Sequence, residues 1–285
     1  MRHGITIFPT DRSIGIVELA RAVEERGLDS LWLPEHTHIP TSRRTPWPVA
    51  PDQPIDDKYK RSLDPLVTLA AAAVATEQLR LGTGILLVAQ RDPIVTAKAL
   101  ASVDHLSGGR LAVGIGFGWN EDEMEHHGVD YKRRRARARE HVLAMRALWE
   151  EDEAEFHGEL VDFSPSWQWP KPAQRPLPVV IGGAAGPKLF HHIAEYAQGW
   201  IPIGGAGLRD AIPRLRDAAV EAGRPDDEVG ALEIVPMAVQ PDAGKLEFYE
   251  SIGVTEAVFD LPSAPADVVL PVLDRYAALV EVTAR

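Results

Sequence analysis

Glu35, His36 and His38 stand in the stretch "DSLWLPEHTHIP", Asp29 to Pro40. An apolar, strand-like run gives way there to an acid and two imidazoles. A histidine exchanges protons near neutral pH, which suits general acid/base work, and a carboxylate beside it can orient the ring or bond nearby backbone. At i and i+2 on an extended backbone, His36 and His38 point the same way and could share a metal. A metallohydrolase would need further ligands at later strand ends. Those ends carry glycine, with Asp260 the only tempting acid, so no metal site is expected. His126-His127 and His191-His192 fall in helical or loop stretches where neighbours diverge, and both pairs read as structural.

The elements that position these residues follow from periodicity. "GITIFP", "DSLWLPEH", "LRLGTGILLV", "RLAVGIGFG", "LPVVIGG", "GWIPIGG", "ALEIVPMAV" and "TEAVFDLP" are eight strand-like runs, each followed by a helical pattern. Ile16, Leu19, Ala20 and Val23 form one helical face, and Gly27 stops that helix. Asp64-Pro65 and Asp92-Pro93 each place a capping acid before a proline at the first helical position. Eight strand–helix units in 285 residues predict a single α/β domain spanning 1–285, a (β/α)8 TIM barrel. A doubly wound open sheet would put a nucleotide turn after its first strand, and "FPTDRS" is not one.

Two segments break the rhythm. Residues 37–63 hold five prolines with Trp47 and Tyr59; residues 151–177 hold four prolines with Phe156, Phe163, Trp167 and Trp169. Both are expected to be insertions at the C-terminal face, as lids or pocket walls.

Composition narrows the partners. A net charge of −12 opposes nucleic acid or an anionic membrane as partner. No cysteine is present, which excludes disulfides, zinc thiolates, iron–sulfur clusters and a cysteine nucleophile. The start lacks a signal-peptide core and no run is long enough to span a membrane, so a cytoplasmic protein is expected. The basic run "KRRRARAR", Lys132 to Arg139, reads as a helix start whose arginines pair with Glu140 and the acidic "EDEME".

A barrel keeps its site where its strands end. Those ends offer Gly84 and Ile85, Gly116 to Asn120 with Trp119, Gly182 and Gly183, then Gly204 and Gly205. Glycine lets backbone approach a flat or phosphorylated ligand. In "PVVIGGAAGPKLF", Gly182, Gly183, Ala184 and Ala185 precede a helix opened by Pro187, whose free amides and dipole suit an anion. "GIGFGWN" is not a dinucleotide fingerprint, and the acids after it would repel a pyrophosphate. It suits a wall beside a planar ring.

Across nearly the whole chain, "GLDSLWLPEH", the block "LRLGTGILLVAQRDPIVTAKALASVDHLSGGRLAVGIGFGWNEDEMEHHGV" and "PVVIGGAAGPKLFHHIAEYAQGWIPIGG" resemble the luciferase-like flavin/deazaflavin superfamily of TIM barrels. Within it the sequence is most similar to oxidoreductases that use coenzyme F420, a deazaflavin. The resemblance implies a non-prolyl cis peptide at Gly84–Ile85, in a bulge that backs the cofactor ring. It implies His36 beside the reactive side of the ring, Glu35 as its neighbour, and the Gly182-Gly183 turn on the cofactor phosphate. It implies hydride transfer to or from a small molecule, and a homodimer. A related branch acting on sugar phosphates has a proton-donating glutamate after the fourth strand. Here Phe117 or Trp119 holds that place, so that substrate is not implied, and the aromatic mouth suggests a flatter or more apolar one. A monooxygenase using reduced FMN, or a barrel that binds flavin without catalysis, would share the same ring site.

Overall fold

The computed structural model describes residues 1–41, 44–48 and 50–283. In chain order the strands are β1 (Arg2–Thr6), β2 (Ser30–Leu33), β3 (Arg80–Thr83), β4 (Leu111–Ile115), β5 (Ala154–His157), β6 (Asp162–Ser166), β7 (Val179–Gly182), β8 (Gly199–Ile201), β9 (Glu233–Ile234) and β10 (Glu256–Asp260). The helices are α1 (Ile16–Glu25), α2 (Asp57–Arg61), α3 (Pro65–Ala75), α4 (Pro93–Leu106), α5 (Glu121–His126), α6 (Arg134–Glu150), α7 (Pro187–Tyr196), α8 (Leu208–Glu221), α9 (Asp226–Gly230), α10 (Ala243–Ser251) and α11 (Ala266–Thr283).

Eight parallel strands pair in the order β10-β1-β2-β3-β4-β7-β8-β9. Closure runs through Met237, which bridges Ile203 beyond β8 and Val258 of β10. The eight expected strands are present and the TIM barrel stands. The seventh shrinks to two regular residues because Pro236 and the left-handed Ala238 interrupt its ladder.

Asp64 accepts the amides of Leu66 and Val67, and Asp92 that of Val95, so both Asp-Pro starts cap as expected. Leu19, Ala20 and Val23 of α1 are buried against the sheet, with Ile16 packed at the edge. The lumen is filled by Trp32, Ala112, Val180, Ile201, Val235, Met237 and Val258, with Ile85 as its lid toward the mouth.

The two insertions go to different places. The described residues of the 37–63 segment follow β2 and lie over the mouth. Residues 151–177 follow α6, and a barrel helix returns the chain to the opposite end. They fold into the antiparallel hairpin β5–β6, and their later part is tied to that end. Lys171 Nζ donates to Leu148 O at 2.9 Å, and Gln174 Nε2 donates to Asp104 Oδ1 and Leu111 O, both at 2.7 Å. Its hairpin turn reaches back along α6, where Glu159 pairs with Arg133 at 2.6 Å and the Leu160 amide donates to Glu140 Oε2 at 2.7 Å. The segment therefore lines the helical shell, and the rings over His36 come from elsewhere in the chain.

Candidate active site

His36 follows β2 by three residues, which carries its side chain to the mouth. Its Nδ1 shares a 2.8 Å hydrogen bond with Glu123 Oε2, and the two side chains are only 7% and 1% exposed. Glu123 comes from α5, the helix opened by "NEDEME". Asn120 caps that helix, its Oδ1 accepting the Glu123 amide at 3.5 Å. On so short a helix Glu123 and Met124 turn inward while Glu125 and His126 face out. With Nδ1 engaged, the remaining ring nitrogen, Nε2, is the one left for chemistry.

Of the two roles expected of Glu35, orienting the ring or bonding nearby backbone, the structure shows the second. Its Oε2 accepts the Leu87 amide at 2.6 Å and its Oε1 meets Arg91 Nε at 2.6 Å. Arg91 also holds Asp64 at 2.6 Å. Burial pushes the Glu35 carboxyl up against the opposing pull of Arg91 and the Leu87 amide. Both oxygens are thus engaged in bracing the turn Val88–Gln90 against β2, and Glu123, not Glu35, orients His36.

Aromatic rings crown His36. Tyr59 of α2 lies 5.2 Å from it, ring to ring, and Trp119 meets it edge-on at 5.9 Å. Tyr59 in turn touches Phe8 at 4.6 Å and Trp47 at 5.6 Å. Two grooves on the helical shell, one along α1 and one between α7 and α8, do not include these residues.

The histidines read as structural form a latch over α5. His38 Nε2 and His126 Nδ1 share a hydrogen bond of 2.9 Å, and Thr37 Oγ1 meets His127 Nε2 at 2.8 Å. Arg44 adds ion pairs to Asp122 at 2.8 Å and Glu125 at 2.5 Å. His127 caps the helix rather than continuing it, so the rule that helical neighbours diverge does not apply. Among the described residues, no group of three or more His, Asp or Glu is placed to hold a metal.

The peptide Gly84–Ile85 is cis, as the resemblance implies. The Ile85 side chain then lies between Gly116 and Gly182: a Cβ built on either would come within 2.5 Å and 2.9 Å of it. These two glycines make room for the bulge, giving an apolar wall over the filled lumen. Gly205 has a packing reason too, since a Cβ there would overlap the Tyr249 hydroxyl. Gly204 donates its amide to Met237 O at 2.7 Å and helps close the barrel. Gly183, Ala184 and Ala185 form the turn into α7, with both alanines exposed.

Beside that turn lies a cationic feature missed in the sequence. Arg135 of α6 sits 4.4 Å above the Phe117 ring, which is 5.3 Å from the His192 ring on α7. Burial and the Arg135 charge push the His192 imidazole down. Arg135 Nη1, His192 Nδ1 and, on the His36 side, Asn120 Nδ2 are buried without a partner. Such orphans are uncommon and costly. The basic run therefore does not pair with "EDEME": Arg139 pairs with Glu195, Arg133 with Glu159, and Arg134 stacks on Tyr131.

An apolar wall, a helix N-terminus and orphaned polar groups fit a phosphate-bearing flavin-type cofactor. The sequence comparison decides the kinship: residues 10–246 match the model of the luciferase-like monooxygenases. The chain belongs to the luciferase-like monooxygenase family. One relative is an uncharacterized protein of Mycobacterium tuberculosis, 43% identical over 280 residues and covering 98% of both chains. A second is an F420-dependent glucose-6-phosphate dehydrogenase of Kineococcus radiotolerans, 29% identical over 221 residues, 75% of this chain and 60% of that one. Among solved structures, a Streptomyces bottropensis monooxygenase overlays with a TM-score of 0.79 at 22% identity, covering all of both chains. An F420-dependent secondary alcohol dehydrogenase overlays at 0.76 and 19%, covering 99% of each. Family members work as oxidoreductases or monooxygenases, so this luciferase-like barrel is an enzyme of that kind. No described helix is long and apolar enough to cross a membrane.

Proposed function

We propose that the protein is an oxidoreductase that transfers a hydride between coenzyme F420 and a small organic substrate, with His36 handling the proton. The observation that carries this reading is the buried Glu123–His36 pair, which fixes the imidazole and leaves Nε2 for a proton under a ring-lined mouth. When bound, coenzyme F420 supplies two-electron hydride chemistry. Ile85 would back its ring, and the amides entering α7, with Arg135 and His192, would hold its phosphate. His36 Nε2 takes the proton of a substrate hydroxyl in one direction and returns it in the other. Glu123 stabilises the imidazolium that forms, and the aromatic crown excludes water. F420-dependent names among the relatives support this cofactor over FMN.

The test separates binding from turnover. His36→Ala should keep its cofactor affinity and lose on the order of 10²–10⁴ in turnover. Glu123→Gln should fall between the two and shift the pH profile of turnover, because a neutral partner no longer supports imidazolium. Unchanged turnover in His36→Ala would remove it from the mechanism.

A further inference from the structure

The crown over His36 limits what can reach it. Tyr59 packs on Phe8, on Trp47 and on His36 itself, and Trp119 closes the other flank of His36. A molecule delivered to Nε2 must slide between these rings or displace one of them. A planar, unsaturated molecule replaces such contacts with offset and edge-on contacts of the same kind. A sugar carries hydroxyls on every face and would bury them against carbon without partners.

Charge sharpens the selection. Among the described residues the arginines on the His36 and Tyr59 side of the mouth are occupied: Arg44 by Asp122 and Glu125, Arg61 by Asp11 and Asp57, Arg91 by Glu35 and Asp64. Arg135, with its unpartnered Nη1, lies on the α7 side, where the cofactor phosphate would be held. Two further carboxylates, Asp56 and Asp260, are near enough to act on the charge of the Tyr59 hydroxyl. One ammonium accompanies them, Lys58, whose Nζ lies 5.2 Å over the Phe8 ring. Asp260 ends β10, in register with Thr6 of the strand that leads to Phe8. Burial pushes its carboxyl up, and Asp56 adds to this against the pull of Lys58. An anion arriving here meets more negative than positive charge. A neutral molecule does not, and an ammonium would relieve the crowded acids.

Resting on the oxidoreductase reading above, we infer that the substrate is a flat, ring-bearing alcohol, carbonyl or amine without negative charge. Asp260 and Asp56 form the rim that rejects phosphate and carboxylate groups, and Tyr59 is the ring against which the substrate lies. This sets the protein apart in substrate from its relatives named for glucose 6-phosphate.

Calorimetric titration of the full-length protein, with and without coenzyme F420, tests this. The ligands are naphthylmethanol, naphthylmethylamine and naphthylmethyl phosphate, which share one ring system, and glucose 6-phosphate. The alcohol and the amine should bind about tenfold or more tightly than the phosphate ester, and glucose 6-phosphate should not displace them. Asp260→Asn should narrow the gap between amine and phosphate. Tyr59→Ala should weaken alcohol and amine together. A phosphate ester binding as tightly as the alcohol, a gap unmoved in Asp260→Asn, preference for glucose 6-phosphate, or no naphthyl ligand binding to either form would each overturn the inference. Failure of the coenzyme itself to bind sinks the hydride reading instead. The preference for ring and charge is still read on the cofactor-free protein.

Discussion

The two ends of the barrel are built from the same residue types to opposite purposes. At the end where the strands begin, Arg2, Arg80, Glu233 and Glu256 form a closed network. Arg80 Nη1 donates to both glutamates at 2.7 Å, and Arg2 Nε reaches Glu256 at 2.9 Å. Ser30 and the Trp32 indole satisfy the other Glu256 oxygen at 2.5 and 2.6 Å. Every charge of that network has a partner. At the end where the strands finish, His36 keeps one nitrogen available, Glu123 has an unpartnered Oε1, and Arg135, His192 and Asn120 hold orphaned atoms. Satisfied polarity plugs and stabilises one end, while unsatisfied polarity prepares the other for a ligand.

Breaking the plug should give the largest effect. Glu256→Ala leaves Arg80 and Arg2 without a common anion, and should cost about 3–5 kcal/mol in urea unfolding while sparing cofactor affinity of the folded fraction. A loss of affinity larger than the loss of stability would dissolve the division between the ends. The plug also sets an acid limit. Burial opposes ionisation of Glu256, yet Arg80 and Arg2 outweigh it and hold its carboxyl below the ordinary 4.5. Its contribution is therefore present above 4.5 and lost as pH falls through the lower folded value. Wild type should lose stability on acidification more steeply than Glu256→Gln. Parallel acid limbs would show that the plug is not what titrates.

Arg135→Ala should weaken cofactor binding about ten- to hundredfold with little change in unfolding, because the group it removes has no protein partner to strand. A strongly destabilised variant with intact affinity would make Arg135 part of the scaffold. The smallest effect is expected at the latch. Burial, then the His38 charge, pushes His127 down from 6.5, so docking of Thr37 and His38 on α5 is favoured above that value and lost as pH falls below it. Exchange protection factors, corrected for the intrinsic pH dependence of amide exchange, should fall around Thr37 and His38 on mild acidification while those of the barrel strands hold. An equal fall in both would mean the latch does not act alone.

These ends were not equally legible in the sequence. The barrel was, because strand runs, Asp-Pro helix starts and helical faces are local signals. The cis bulge at Gly84–Ile85 came from family resemblance rather than from any local rule. Glu35 stood out because it adjoins His36, but along a chain leaving a strand the adjacent residue turns elsewhere, to Arg91 and the Leu87 amide. Glu123 was hidden in an acidic run expected to pair with the basic run after it. Only the docking of α5 under the segment around His38 and Arg44 separates the inward Glu123 from the outward Glu125. Residues 151–177 looked like a second lid because proline and tryptophan content does not say whether a segment crosses the mouth or lines the helical shell, and the hairpin β5–β6 lies along α6.

Binding of a deazaflavin at this mouth for hydride transfer is tested by equilibrium titration of the cofactor-free protein with coenzyme F420 and, separately, FMN. Tight binding of coenzyme F420 with weak binding of FMN is the predicted result. Tight binding of FMN with none of coenzyme F420 would contradict it and point to oxygen-using flavin chemistry on the same barrel.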